Sequence, residues 1–308
     1  MVIEKYSGII PAFYGCYDTE GNISTSAVEQ FAQHLISKGV KGLYVGGSSG
    51  ECIYQSVEER KEVLAHIMKV AKGKITVIAH VAANNTKDSC TLAAHAESLG
   101  VDAIAAIPPI YFRLPDFAII DYWNAISASA PNTDFIIYNI PQLAGVALTP
   151  SALKEMLKNP RVIGVKNSSM PTMDIQTFKC IGGENFVVFN GPDEQLVAGL
   201  TMGAIGGIGG TYGVMPELYI KIKKLIDIGD VKGAYALQIK ANEIIAKLTS
   251  CQGNMYAVIK EIIKIREGID LGGVRYPLPQ IVSEDLPKIK ETASLIDEVL
   301  NQIKGEIQ

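Results

Sequence analysis

Charge, cysteine pairs and histidine clusters are scarce in this sequence, and each scarcity excludes a class of protein. The formal net charge is −4 over 308 residues, which is too small to predict binding to nucleic acid or to an anionic membrane surface. The five cysteines are dispersed and include no C-x-x-C pair, so neither a disulfide framework nor a zinc knuckle is expected. Residues 1–8 lack the apolar stretch of a secretory signal. The expected location is therefore the reducing cytoplasm.

Patterns for metal, phosphate and membrane binding are missing as well. Of the four histidines, only His80 falls on a predicted strand, and no carboxylate or cysteine lies at ligand spacing from it. No G-x-x-x-x-G-K-[ST] phosphate loop is present. Residues 195–216 form a charge-free segment as long as a membrane span, but its seven glycines predict several short pieces of a barrel interior instead. We expect no metal site, no phosphate loop and no membrane partner.

Short apolar runs alternate with amphipathic stretches along most of the chain, which predicts parallel strands joined by helices. The predicted strands are Gly8–Ala12, Gly42–Val45, Ile75–His80, Ala103–Ile107, Phe135–Asn139, Val162–Lys166, Val187–Asn190 and Ala204–Gly207. The predicted helices between them are Ser24–Lys38, Ser56–Lys72, Thr86–Leu99, Asp116–Ser129, Thr149–Leu157, Met173–Ile181 and Gln195–Met202. Four of these helices begin with a predicted N-cap, at Ser24, Ser56, Thr86 and Thr149.

Two architectures fit this alternation, a closed (β/α)8 barrel and an open doubly wound sheet. Eight units within about 230 residues favour the barrel. The open dinucleotide-binding sheet requires G-x-G-x-x-G after an early strand, whereas the comparable glycines here come late, and Tyr212 stands in place of the third glycine. The sequence therefore predicts an α/β fold of the (β/α)8 TIM barrel type.

Beyond Pro216 the strand signals stop and helical patterns continue. Leu218–Ile228 completes the eighth unit, and three further helices are predicted at Val231–Thr249, Met255–Ile265 and Ser283–Ile303. We expect a catalytic barrel over residues 1–229 and a C-terminal helical domain of three helices over residues 230–308.

Lys166 is the most informative residue at a predicted strand end, where (β/α)8 enzymes build their active sites. It ends the apolar run Val162–Val165, so its side chain is expected at the mouth of the barrel. Desolvation there lowers the pKa of a lysine and yields the neutral amine that carbonyl attack requires. An ion pair with Glu51 or Asp193 is the structural alternative, and position alone favours neither.

Tyr138 ends the neighbouring predicted strand, so its backbone should lie about 5 Å from that of Lys166. A phenol beside such an amine can move a proton to or from a substrate hydroxyl; the alternative is a tyrosine that only fills the barrel.

The glycine-serine turn Gly46–Glu51 offers N–H groups and hydroxyls that suit a carboxylate, although this composition is also ordinary in loops. Asp193 and Glu194 could bind polyol hydroxyls, act as acid and base, or face solvent.

Four motifs, in this order and spacing, resemble the dihydrodipicolinate synthase / N-acetylneuraminate lyase family of pyruvate-dependent class I aldolases. The resemblance extends from Gly8 through the C-terminal helices. The motifs are Gly46-Gly47-Ser48-Ser49-Gly50-Glu51, Tyr138-Asn139-Ile140-Pro141, Gly164-Val165-Lys166 and Gly191-Pro192-Asp193-Glu194.

The resemblance implies a role for each matching residue. Lys166 would form a Schiff base with the keto carbon, and Tyr138 would be the proton shuttle. Ser48 and Ser49 would hold the 2-oxo acid carboxylate, with Ser48 relaying protons to Tyr138. Tyr111 matches a tyrosine that members of the family insert into the relay of a neighbouring subunit. The family is typically a cytoplasmic homotetramer that needs no cofactor, so small-molecule substrates and further copies of the chain are the expected partners.

The motifs also indicate the second substrate. Gln142 and Leu143 offer no cation where dihydrodipicolinate synthases generally carry an arginine, and Asp193-Glu194 resembles the lyase residues that bind the glycerol tail of a sugar acid. The expected reaction is reversible cleavage of N-acetylneuraminate to N-acetylmannosamine and pyruvate. The alternatives are 4-hydroxy-tetrahydrodipicolinate synthesis or another pyruvate-dependent sugar-acid aldolase. The expected substrate contacts are Ser48, Ser49, Ser168, Gly191, Asp193, Glu194 and Gly210.

Overall fold

Eight parallel strands form the centre of the molecule in a computed structural model that describes residues 2–305. From β2 to β8, strands that are consecutive in the chain are neighbours in the sheet. The last strand, β8, also pairs with the first strand, β1. The strands are β1 (Ile9–Pro11), β2 (Gly42–Val45), β3 (Thr76–His80), β4 (Ala103–Ala106), β5 (Asp134–Asn139), β6 (Val162–Asn167), β7 (Val187–Asn190) and β8 (Gly206–Gly209).

The junction between β1 and β2 closes the sheet into a barrel. The Lys41 N–H donates to the Ile9 carbonyl at 2.9 Å, and the Phe13 N–H donates to the Tyr44 carbonyl at 2.9 Å. Ala12 and Tyr44 form a parallel bridge at the same junction. The predicted (β/α)8 barrel is therefore confirmed.

Helices surround the barrel and extend it at the C-terminal end. The helices of the described chain are α1 (Val2–Tyr6), α2 (Thr25–Ser37), α3 (Val57–Ala71), α4 (Thr86–Leu99), α5 (Asp116–Ala128), α6 (Pro141–Ala144), α7 (Pro150–Met156), α8 (Met173–Gly182), α9 (Leu196–Thr201), α10 (Pro216–Asp227), α11 (Val231–Thr249), α12 (Met255–Glu267) and α13 (Leu286–Gly305). The expected three C-terminal helices are α11, α12 and α13, and α11 packs against both α9 and α10. No helix within residues 2–305 is long and apolar enough to cross a membrane.

The hydrophobic core has two layers because successive side chains of a strand point to opposite faces. One layer fills the barrel and includes Tyr44, Ile136 and Phe189. The other lies between strands and helices and includes Leu43 and Val165, each adjacent in sequence to an inward-facing residue. Since both faces are covered, the strands are almost continuously apolar, as parallel strands usually are. A polar side chain inside this barrel therefore needs a specific reason to be there.

The helix starts agree with the sequence at most of the predicted caps. Ser56 forms a capping box, and the Thr149 side chain accepts from the backbone of α7. Ser24 occupies its N-cap position without a side-chain hydrogen bond. The prediction for Thr86 was wrong, because the amide oxygen of Asn85 accepts from the N–H three residues later and Thr86 is already helical.

The last strand differs from the prediction by two residues. The sequence predicted Ala204–Gly207, whereas β8 spans Gly206–Gly209 and pairs Gly207 with Ile9. Glycines carry no side chain whose alternation could mark a register, so the pairing with β1 decides it. The short helices α1 and α6 were not predicted, because five and four residues are too few to show a helical period.

Candidate active site

A cavity of about 340 Å³ opens at the carboxyl ends of the strands. Its lining brings together every substrate contact expected from the sequence, along with the amine and the phenol. These residues are Ser48, Ser49, Tyr138, Lys166, Ser168, Gly191, Asp193, Glu194 and Gly210. A larger cavity of about 620 Å³ lies at the opposite end of the barrel, beside Lys41 and Lys74, which precede β2 and β3. In (β/α)8 enzymes the chemistry is at the carboxyl ends, so we place the candidate site in the smaller cavity.

Lys166 is buried inside the barrel near the end of β6, with 4% of its surface exposed. Its Nζ lies 3.8 Å from the centre of the Tyr138 ring and 4.3 Å from that of Tyr44. Burial disfavours the ammonium form and lowers the pKa of Lys166 to about 7. Much of this lysine is therefore a neutral amine near neutral pH, and it faces the cavity.

The two carboxylates that the sequence offered as ion-pair partners of Lys166 have other partners. Glu51 is paired with Lys260, at 2.8 Å between Nζ and Oε1, and both side chains are buried. Asp193 accepts hydrogen bonds from Thr211. Its charge raises the pKa of Lys166, but this effect is smaller than the opposite effect of burial. Neither carboxylate holds the lysine in its charged form.

Tyr138 is the direct register partner of Lys166 across β5 and β6. Ser48 and Ser168 line the same cavity as its hydroxyl and act to lower its pKa, so the sequence-predicted relay residue Ser48 lies near the phenol. Burial raises the pKa of Tyr138 to about 12, and the two serines partly oppose this rise. Its ring packs edge-on against His80, at 6.0 Å between centroids.

His80 is held in its neutral form behind the phenol. Burial and the charge of Arg60 lower the pKa of His80 to about 3. Its Nδ1 lies 2.8 Å from the Gly46 carbonyl, so the neutral ring donates this hydrogen bond. The contact fixes the start of the turn that follows β2, and Gly46 has a φ of 75°, which glycine adopts without strain.

The turn after β2 places two serines at the cavity. Ser48–Gly50 forms a short 3₁₀ helix, and the first N–H groups of such a turn have no partner within it. They are free to bind an anion such as a carboxylate. Ser49 is 4% exposed, and its Oγ donates to the Tyr256 hydroxyl at 2.9 Å. The turn thus provides the donors expected for a 2-oxo acid carboxylate.

Asp193 and Glu194 are adjacent in sequence but lie in different environments. Asp193 is buried, and its Oδ2 accepts from both the N–H and the hydroxyl of Thr211 at 2.6 Å. Burial raises the pKa of Asp193 to about 7. Its Oδ1 occupies space that a Cβ at Gly209 would enter, since the two atoms would be 1.8 Å apart. Glu194 is exposed and lines the same cavity, so its carboxylate is accessible to a ligand.

Tyr111 does not lie in this cavity within a single chain. It is 90% exposed, and its backbone has a φ of 86°, a left-handed conformation that non-glycine residues seldom adopt. Its ring packs edge-to-face against the ring of Phe112, which is also exposed, with 5.0 Å between the centroids. The structure therefore separates Tyr111 from the other predicted site residues of its own chain.

Three residues at the site were missed from the sequence. Tyr44 lies against Lys166, and its position two residues before Gly46 on a predicted strand was a usable signal, since such residues share a face. Thr211 binds Asp193, and Tyr256 binds Ser49. Thr211 follows the end of β8 by two residues, and its place at a strand end of the barrel was a usable signal. Tyr256 had no such signal, because its contact depends on packing between distant segments. Among residues 2–305, no three His, Cys, Asp or Glu side chains are arranged as metal ligands would be.

Residues 5–296 match the dihydrodipicolinate synthetase family. The chain belongs to this family. It is 65% identical over 294 residues to an N-acetylneuraminate lyase from Mediterraneibacter gnavus, covering 96% of this chain and 93% of that protein. It is 34% identical over 288 residues to an N-acetylneuraminate lyase from Escherichia coli, covering 93% and 95%.

Solved structures of the family agree with the fold. The wild-type sialic acid aldolase of Ruminococcus gnavus superposes with a TM-score of 0.96 at 63% identity, covering 97% of this chain and 99% of that one. CdNal from Clostridium difficile, solved in complex with mannosamine, superposes with a TM-score of 0.90 at 30% identity, covering 94% and 98%. The sequence-based expectation of family membership is confirmed.

Proposed function

We propose that this chain is a class I aldolase that cleaves N-acetylneuraminate reversibly to N-acetylmannosamine and pyruvate. The observation that carries this proposal is the buried amine of Lys166, whose pKa is lowered to about 7 and which faces a cavity beside the Tyr138 phenol. A neutral amine in a desolvated pocket is the nucleophile that Schiff-base catalysis requires.

The reaction begins with attack of Lys166 Nζ on the keto carbon of the open-chain sugar acid. The C–N bond forms, the carbonyl oxygen takes one proton from the amine and one from solvent and leaves as water, and the product is a protonated imine. This cation withdraws electrons from the adjacent carbon and so weakens the bond that must break. The turn at Ser48 and Ser49 holds the carboxylate of the substrate during these steps.

Tyr138 handles the proton of the cleavage step. As the Tyr138 phenol passes its own proton through Ser48 to solvent, its oxygen takes the proton from the hydroxyl on the carbon that becomes the aldehyde, and the carbon–carbon bond electrons pass into the imine to give an enamine. Protonation of the enamine carbon and hydrolysis of the imine then release pyruvate and restore Lys166. The Ser48 and Ser168 hydroxyls act to lower the pKa of Tyr138, and hydrogen bonds to a phenolate oxygen stabilise the charge that develops there.

The relatives support both the chemistry and the substrate. The Ruminococcus gnavus sialic acid aldolase, 63% identical to this chain, has also been solved as a catalytic lysine mutant, which agrees with an essential amine. In the cavity of this chain, Gln142 and Leu143 present no cation to a second carboxylate. The exposed carboxylate of Glu194 instead suits the hydroxyls of a sugar tail.

Reduction in the presence of pyruvate tests the mechanism directly. Borohydride should attach one reduced pyruvate to the protein, and peptide mapping should locate it on Lys166. Borohydride alone is the control, and Lys166→Met should remain unlabelled. An unlabelled wild-type protein, or a label on another lysine, would contradict the mechanism.

A side-by-side assay tests the substrate. Pyruvate release from N-acetylneuraminate is compared with condensation of pyruvate and aspartate semialdehyde on the same preparation. Faster turnover of the sugar acid is expected. If the semialdehyde is turned over faster, the Schiff-base mechanism still holds, but the proposed reaction is wrong and dihydrodipicolinate synthesis takes its place.

The organisation of the protein is part of the proposal. We propose a catalytic barrel over residues 1–229, a helical domain over residues 230–308 and a cytoplasmic homotetramer. The exposed aromatic pair of Tyr111 and Phe112 supports contact with another subunit, since exposed aromatic residues are enriched at protein interfaces.

A further inference from the structure

The first turn of α12 reaches the candidate active site although this helix lies outside the barrel. Tyr256, in that turn, lines the cavity. Its hydroxyl accepts a hydrogen bond of 2.9 Å from Ser49, a residue 207 positions earlier in the chain. The two hydroxyls form a pair at the turn to which the proposed function assigns the substrate carboxylate.

Gly210 provides the space for this pair. A Cβ built on Gly210 would lie 2.8 Å from the Tyr256 oxygen and 3.4 Å from the Ser49 Oγ. The first distance is too short for a carbon–oxygen contact without movement. A side chain at residue 210 would therefore displace the Tyr256 hydroxyl from its position beside Ser49.

A second contact fixes the same helix to the same turn. Lys260, one helical turn after Tyr256, donates to Glu51 at 2.8 Å and to the Gly273 carbonyl at 2.7 Å. Both side chains of the Lys260–Glu51 pair are buried, with 2% and 1% of the residues exposed. A buried charge pair is costly to break, so α12 and the Ser48–Gly50 turn are expected to move together.

We propose that Tyr256 is a substrate-binding residue that donates its hydroxyl proton to the carboxylate of the 2-oxo acid, with Ser49 and the Lys260–Glu51 pair holding it in place. This inference rests on the proposed aldolase function. It makes the helical segment after the barrel a part of the carboxylate site.

The protons available at the site support a hydrogen bond in which Tyr256 donates and the substrate carboxylate accepts. The Tyr256 oxygen already accepts the Ser49 proton, and burial raises the pKa of Tyr256 above its usual value, so the phenol keeps its own proton. Within residues 2–305, the structure gives that proton no acceptor. A carboxylate entering the cavity supplies one, and a hydrogen bond to a charged acceptor is about twice as strong as a neutral one.

Tyr256→Phe tests the proposal because it removes the hydroxyl and keeps the ring. The KM for pyruvate in the condensation direction should rise about tenfold, the effect of losing one hydrogen bond to a charged group. The kcat should change much less, because the carboxylate is bound equally throughout the reaction. Tyr122→Phe is the matched control, since its hydroxyl also bonds a serine, Ser89 at 2.9 Å, but lies outside the cavity; its KM should equal that of the wild type.

Two double variants test the coupling. Tyr256→Phe should add little to the rise in KM caused by Ser49→Ala, because the two hydroxyls act as one pair. Gly210→Ala should raise the KM in the wild-type background and raise it less beside Tyr256→Phe, where the oxygen that its Cβ would meet is gone.

The outcomes separate this inference from the function on which it rests. If the wild-type protein neither traps pyruvate nor cleaves N-acetylneuraminate, the proposed function fails. If the wild type does both and Tyr256→Phe keeps a wild-type KM, only the role of Tyr256 fails. A fall in melting temperature with unchanged KM, or additive effects in both double variants, would likewise reduce Tyr256 to a packing residue.

Discussion

The Nζ of Lys166 lies 4.3 Å from the centre of the Tyr44 ring, which projects from β2 on the opposite side of the barrel from β6. The Tyr44 ring also meets Tyr138 edge-on at 5.8 Å. The amine is thus enclosed by two aromatic rings, one beside it in the sheet and one across the interior. This enclosure excludes water and is the physical cause of the lowered pKa of Lys166.

Tyr44→Phe should keep the protein active and should not destabilise it. The Tyr44 hydroxyl is buried without a hydrogen-bond partner among residues 2–305, and such a group costs free energy. Its removal should leave the free energy of unfolding unchanged or raise it by about 1 kcal/mol, as measured by urea denaturation. Pyruvate trapping should persist because the ring is retained. A large loss of stability would contradict the absence of a partner.

The rate of Schiff-base formation should rise with pH through about 7. Only the neutral amine attacks a ketone, and the pKa of Lys166 is lowered to about 7, so its neutral fraction increases across that value. The measurement is the initial rate of borohydride trapping with pyruvate from pH 5 to 9. Asp193→Asn removes a negative charge that raises the pKa of Lys166, and the midpoint should therefore fall. A midpoint near that of an ordinary lysine would contradict the desolvation argument.

Tyr138→Phe should lower turnover by about 10²-fold or more, the range expected for loss of an acid–base group. Trapping of pyruvate on Lys166 should continue, because imine formation with pyruvate does not require the cleavage step. The two assays are run on the same preparation. Near-normal turnover would assign Tyr138 to packing alone.

Glu194→Gln should weaken binding of the sugar acid and leave pyruvate binding unchanged. Its exposed carboxylate lines the cavity, and loss of a hydrogen bond to a charged group should raise the KM for N-acetylneuraminate about tenfold. Glu184→Gln is the matched control, because Glu184 is exposed but precedes β7, whereas Glu194 follows it. A parallel loss of pyruvate trapping would show that Glu194 has no special role for the sugar tail.

Tyr111→Phe should lower turnover less than Tyr138→Phe does and leave the oligomer intact, as measured by sedimentation. Tyr111 lies outside the cavity of its own chain, so its proposed contribution comes from a neighbouring subunit. Mixed oligomers of Tyr111→Phe and Tyr138→Phe chains should therefore regain activity at sites that receive one intact tyrosine from each chain. Activity no higher than the average of the two variants would contradict exchange between subunits.

The sequence was sufficient for the fold class and, to within one residue, for the carboxyl ends of all strands except β8. The apolar pattern of a strand or helix can be read from a short stretch of sequence. A lysine at the end of an apolar strand, such as Lys166 in β6, can be recognised from that stretch as well. The register between Tyr138 and Lys166 followed from strand order alone, because neighbouring strands of a barrel end at the same face. The β8 register did not, since Gly206–Gly209 carries no side-chain pattern.

What the tertiary structure alone decided was the environment of each polar group. Asp193 and Glu194 are consecutive residues, yet one is buried against Thr211 and the other is exposed, and no local pattern distinguishes them. The contact of Tyr256 with Ser49 joins segments that meet only when α12 packs against the mouth of the barrel. Strand and helix periods are set by neighbouring residues, whereas burial and pairing depend on how distant elements pack together.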